Sequence, residues 1–268
     1  MDKKTFGQGL VFAGLFTLSF ALAGCGRKPV GPEHGLTQAQ AQEAAQEFGR
    51  QYTGTTPLEF TRALLLPIGI GNVKSNRARP ARAGSVTAAD QTFTYEIQAY
   101  DANGTLVPWD STDPSLFARV DVSWRLRWDY TDASGPSFFR WHDAGRYSVT
   151  GFRAADAEWG VSGAASDSLQ FRFVDATDDV SGDSRWAVGE QAVRWSKSAD
   201  ATVYPLGGTE SILGDVLVQG NESGQRVDES FHADAVLTYN GTVWAGLLID
   251  GKYRFELNLD TGEVRAPA

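Results

Sequence analysis

Ser230, His232 and Asp234 stand at alternate positions in Glu-Ser-Phe-His-Ala-Asp. A serine, a histidine and a carboxylate are the parts of a nucleophilic relay, in which the acid orients the base and the base takes the serine proton. On a strand all three share one face, but such neighbours are about 6 to 7 Å apart, too far for direct bonds. A solvated strand face is therefore expected there. His142 is followed by Asp143, and successive strand residues point to opposite faces, so that pair is not expected to work together. His34 lies in a Gly/Pro-rich stretch with no second ligand beside it and reads as a solvated tether residue. Gly160-Val161-Ser162-Gly163-Ala164 approaches a nucleophile elbow but lacks the closing glycine and a strand-to-helix setting.

Carboxylates are the next chemistry. Asp175, Asp178, Asp179 and Asp183 crowd one segment, and calcium takes several oxygen ligands. The EF-hand spacing with its closing glutamate is absent, so an acidic turn between strands is expected. Asp156 and Glu158 make a weaker pair with nothing to mark it. The single cysteine excludes an intramolecular disulfide and zinc sites built on several cysteines. Neither Gly-rich nucleotide fingerprint occurs in a strand-to-helix setting. The sequence thus assigns no catalytic, cofactor-binding or metal residue, and a non-enzymatic protein with no cofactor is expected.

The elements that position these residues follow from periodicity. Thr37 and Gln40 have capping-box spacing, and Ala41, Ala44, Ala45, Phe48 and Tyr52 recur at helical spacing, which predicts a helix over 37–52 with Gly54 as a stop. Thr56-Pro57-Leu58-Glu59 starts a second, strongly apolar helix that ends near Leu66, before Pro67. Lys74, Arg77, Arg79 and Arg82 then mark a basic segment, read as a solvated loop; its functional alternative is contact with anionic lipid headgroups. From Gln91 the period becomes two. Val120, Val122, Trp124, Leu126, Trp128 and Tyr130 alternate with polar residues in the clearest strand. Further strands are expected at 91–99, 105–109, 138–142, 147–152, 169–174, 186–195, 201–206, 234–239, 242–249 and 252–259. Asn240-Gly241 and Asp250-Gly251 supply the positive φ of tight hairpins.

The N-terminus carries the most specific signal. Lys3 and Lys4 precede an apolar run from Leu10 to Gly24. Spanning a bilayer takes about 20 such residues, so this run has the size of a signal-peptide core. It ends in Leu22-Ala23-Gly24-Cys25. The segment resembles the bacterial lipoprotein class, whose lipobox reads Leu-Ala-Gly-Cys. The resemblance covers residues 1–25 alone. It implies cleavage between Gly24 and Cys25, diacylglycerol on the Cys25 thiol and acylation of the freed amine. Each buried methylene contributes roughly 0.8 kcal/mol, so two or three chains anchor a protein. Gly26, where inner-membrane members carry Asp, leans toward the outer membrane if the source is Gram-negative.

The organisation expected is a signal peptide at 1–24, a lipidated cysteine and tether at 25–35, a helical segment at 36–70, a basic linker at 71–90 and an antiparallel β domain at 91–268. The fold class is mainly β, an antiparallel sandwich or curled, barrel-like sheet with a short N-terminal helical segment. The formal charge of −9 argues against nucleic acid as a partner. The expected role is a membrane-anchored binding or structural domain of the cell envelope, meeting the membrane through Cys25 and an unidentified protein or hydrophobic ligand. The alternative is a carrier of lipid or another hydrophobic ligand, with the aromatic strand faces as its lining.

Overall fold

The computed structural model describes residues 36–54, 83–87, 90–108, 116–133, 135–153, 155–197 and 204–267. Met1 to Gly35, with Gly24, Cys25 and His34, lie outside the described residues, as do the second helix expected from Pro57 and the basic positions Lys74 to Arg82.

The described residues open with helix α1 (Gln38–Gly54). Its N-terminus is the capping box expected. Gln40 N–H donates to Thr37 Oγ1 at 3.3 Å and Thr37 N–H donates to Gln40 Oε1 at 3.0 Å, which satisfies two amides that the helix itself cannot. Ala41, Ala45 and Phe48 are buried, as their spacing requires.

Among the described residues twelve strands follow: β1 (Ala83–Thr87), β2 (Gln91–Tyr100), β3 (Leu106–Val107), β4 (Arg119–Thr131), β5 (Phe138–Thr150), β6 (Glu158–Val174), β7 (Asp179–Ser196), β8 (Gly207–Glu222), β9 (Gln225–Tyr239), β10 (Trp244–Ile249), β11 (Tyr253–Asn258) and β12 (Val264–Arg265). All belong to one antiparallel sheet, and each strand pairs with the next except that β3 pairs back onto β2 and β2 pairs with β4. The sheet does not close. This is the mainly β class expected from the alternating pattern, an antiparallel sheet that fits a sandwich or curled sheet with a short N-terminal helix.

One face is buried. Val120, Val122 and Leu126 of β4, Tyr147 and Val149 of β5, Leu169 of β6, Ile212 of β8, Leu237 of β9 and Leu257 of β11 share a single core with Ala41, Ala45 and Phe48 of α1. The helix lies on the β10–β12 end of that face. A Cβ on Gly49 would stand 2.2 Å from the Gly262 carbonyl oxygen, so only glycine permits this approach. Tyr253 Oη donates to the Leu36 carbonyl, and Leu36 N–H to Asp250 Oδ2 at 3.3 Å, tying the helix start to the β10–β11 turn. In that turn Asp250 and Gly251 both take positive φ (54° and 59°), the geometry its sequence implied.

Several strand boundaries differ from those expected. Ala83–Thr87, placed in the basic linker, is strand β1, with Val86 opposite Phe93. Residues 138–142 and 147–150 are parts of one strand, β5, which runs through Asp143-Ala144-Gly145 without a break and ends at Thr150, two residues before the end expected. Gly145 is not a turn glycine: its missing Cβ leaves room for the Trp124 ring, which would otherwise stand 2.4 Å away. No strand lies in the described part of 201–206; the strand is β8, which starts at Gly207. Asn240-Gly241 belongs to a longer 240–243 connection rather than a two-residue turn. In β7 a bulge at Gln191–Val193, with Ala192 at φ 51°, puts Glu190 and Val193 on the same face although they are three residues apart.

Candidate functional site

The cross-strand register decides what each sequence candidate touches. His142 Nε2 lies 3.0 Å from Asp129 Oδ1 on β4, and Arg127 Nε donates to Asp129 Oδ2 at 2.5 Å. Burial alone would raise the Asp129 pKa; hydrogen bonds and charge from Arg127 and His142 outweigh it and hold the carboxyl below its usual value. Asp143 points to the other face and accepts from Trp124 Nε1 at 2.8 Å. His232 Nδ1 lies 2.7 Å from Asp215 Oδ1 on β8, its register partner, and Ser230 and Asp234 are not bonded to it. Ser162 sits inside β6, where its Oγ accepts from Ala192 N–H at 2.9 Å and supports the bulge. None of these is a nucleophile in reach of a base.

The aspartates at 175–183 are each engaged. Asp175 Oδ1 accepts the amides of Thr177 and Asp178 and caps its own turn, which lowers its pKa. Asp178 Oδ1 accepts from Ser223 N–H at 2.7 Å, bracing the β6–β7 turn against the β8–β9 turn. Asp179 pairs with Arg172 through two bonds of 2.9 and 3.0 Å. Asp183 accepts from Gln170 Nε2 at 2.7 Å and pairs with Arg185. Asp156 meets Arg153, and Glu158 meets Arg194. Among the described residues no group of three or more metal-ligating side chains converges.

The solvent face holds a groove of about 540 Å³ across β4 to β8. Two adjacent register rows build it. The first runs Arg125, Ala144, Ser166, Ala187, Leu213; the second runs Arg127, His142, Ser168, Arg185, Asp215. Small side chains in the middle of the first row leave the depression, and long ones at its ends wall it. Arg127 is held by Asp129 and Arg185 by Asp183, whereas Arg125 has no ion pair among the described residues. Leu213, half-exposed, gives the far wall an apolar surface. The groove thus offers two serine hydroxyls, a guanidinium with no ion pair among the described residues and an apolar edge, within the size range of ligand sites.

Among the described side chains the buried face carries four carboxyls, of which only Asp143 is weighed from the sequence, and only as a partner for His142. Asp143 and Asp167 are register partners across β5 and β6; Glu190 and Glu210 are partners across β7 and β8. Burial raises the Asp143 pKa against the Trp124 bond. Burial and then the charge of Asp143 push Asp167 up to about 7. Burial and then Glu190 push Glu210 up to about 8, with the Tyr239 hydroxyl, which donates to Glu210 Oε2 at 2.5 Å, opposing. Their signal was carboxylates at the apolar phase of an alternating strand, legible only once β5 is continuous and β8 is recognised.

The chain matches no family model, no curated protein and no solved structure. Among the described residues no helix is long and apolar enough to cross a membrane.

Proposed function

We propose that this chain is a membrane-tethered, non-enzymatic binding domain of the cell envelope, which takes its ligand or partner on the solvent face of β4–β8. The observation that carries the reading is the groove between Arg125 and Leu213, floored by Ala144, Ser166 and Ala187. The Leu22-Ala23-Gly24-Cys25 lipobox supports the tether, and His142 and His232, each held by an aspartate of the neighbouring strand, support binding without turnover. Ala187→Trp fills the floor from an exposed strand position and leaves the buried face untouched. Purified wild type and Ala187→Trp, each incubated with an envelope extract and analysed by mass spectrometry, test the reading. A species retained by wild type and lost from the variant supports it; equal retention contradicts it.

A second reading, carriage of a hydrophobic ligand, is favoured by the unclosed sheet and its aromatic buried face, where Trp124 stacks on Tyr147 at 5.7 Å. It stands behind the first because Trp141 and Trp186 are only 2% and 5% exposed, so a ligand would have to displace what covers them. Co-purified lipid in the unlipidated domain is its test.

A further inference from the structure

The solvent-face groove is polarised along its length. Arg125 and Arg127 stand at its β4 end and Arg185 on β7. Asp215, the carboxylate of its lining that faces solvent, stands at the β8 end and lies 2.7 Å from His232 of β9. Asp143 and Asp167 belong to the buried face and approach the groove from beneath. In a chain of net charge −9, this local surplus of guanidinium runs against the composition.

The three arginines differ in how they are held. Arg125 has no ion pair among the described residues. Arg127 is bound to Asp129 and Arg185 to Asp183, each through Nε, and both aspartates sit one register row beyond the groove. The terminal nitrogens of both guanidinia are thereby left to donate. A guanidinium takes a carboxylate or phosphate through two parallel N–H bonds. Ser166 and Ser168 of β6 add hydroxyls between the β4 and β7 arginines, and neither is bonded to a described residue.

The far half of the groove is apolar. Ala187 forms its floor and Leu213, 50% exposed, its wall. Leu217, 42% exposed, continues the same face of β8 past Asp215. From Ser166 to Leu213 the path crosses two strand spacings, about 10 Å. A medium-length alkyl chain covers that distance.

We propose that the groove takes an anionic amphiphile with a single alkyl or acyl chain: its phosphate or carboxylate is held by Arg125 together with Arg127, Arg185 and the two hydroxyls, and its chain lies across Ala187 onto Leu213. This rests on the reading of the β4–β8 face as the ligand site and names the class of ligand. Asp215 sets the direction, because an anionic head at the β8 end would meet a like charge. A bare anion would leave Leu213 uncovered, and a neutral amphiphile would leave Arg125 unpaired.

Equilibrium dialysis of the full chain, carrying Cys25→Ser to leave out the lipid, tests the proposal with three probes below micelle formation. Octyl phosphate has head and chain, octyl glucoside the chain with a neutral head, and inorganic phosphate the charge alone. Octyl phosphate should bind one per chain and at least tenfold more tightly than either other probe. Arg125→Gln should weaken it about tenfold, the size of one charge-assisted bond, and leave octyl glucoside unchanged. Leu213→Ser should weaken it about fivefold and leave inorganic phosphate unchanged. Equal affinity for octyl phosphate and either other probe overturns the proposal. So does octyl phosphate binding that Ala187→Trp leaves intact, since it lies outside the groove. No octyl phosphate binding, with an envelope species still lost on Ala187→Trp, overturns the amphiphile and leaves the site standing; with no such species, both fall.

Discussion

Trp124 Nε1 donates to Asp143 Oδ2 at 2.8 Å, from the centre of β4 to the centre of β5. That bond explains how β5 runs unbroken through a segment that looks like a turn. The indole lies flat over Gly145, stacks on Tyr147 and reaches the buried carboxyl with its one donor. Trp124→Phe keeps most of the ring and removes the donor. Chemical denaturation should show a loss of about 1 to 3 kcal/mol, the cost of leaving a buried polar group without its bond. Unchanged stability would mean that Asp143 does not need the indole.

Glycines on the buried face act as space for tryptophan. A Cβ on Gly214 would stand 2.2 Å from the Trp186 ring, while one on Gly246, on the opposite face in β10, meets nothing nearer than 3.7 Å. Gly214→Ala should therefore cost about 1 to 3 kcal/mol through overpacking. Gly246→Ala should cost much less. Equal melting temperatures for the two variants would contradict the close approach.

Asp167 gives a pH prediction of definite sign. Its carboxyl is raised to about 7 by burial and by Asp143, so the neutral form is favoured in the fold. The stability tied to that proton is complete below 3.8 and is lost as pH rises through about 7. Asp167→Asn should be more stable than wild type at pH 8, with the gap closing toward pH 4 in paired thermal melts. A gap that widens toward acid would reverse the assignment.

The tether is tested apart from the fold. Cys25→Ser removes the thiol that the proposed lipobox would present for acylation. The variant should move from the membrane to the soluble fraction and lose lipid labelling, with its folded part intact by circular dichroism. Membrane retention equal to wild type would remove the lipoprotein reading.

Local signals were legible in the sequence, and long-range ones were not. The Thr37–Gln40 cap, the β4 alternation and the Asp250-Gly251 turn each depend on residues within a few positions, and each stands where expected. Strand β8 escaped because Gly207, Gly208, Gly214 and Gly220 break its apolar run; at Gly214 the glycine admits the Trp186 ring, and at Gly208 and Gly220 φ is positive. The partners of His142 and His232 sit 13 and 17 residues away on neighbouring strands. Only the register brings Asp129 and Asp215 to them, and register is a property of paired strands rather than of either one. For the same reason the groove, assembled from five strands, has no contiguous motif.

The central claim is that the solvent face of β4–β8 is where the tethered domain meets its ligand. A photoreactive amino acid at Ala187, on the groove floor, and another at Gln219, exposed toward the far end of β8, measure this in the lipidated chain within intact cells. The account predicts a discrete adduct from position 187 that is absent from position 219 and is lost when Arg125→Glu is added. Adducts from both positions alike, or none from position 187, would contradict it.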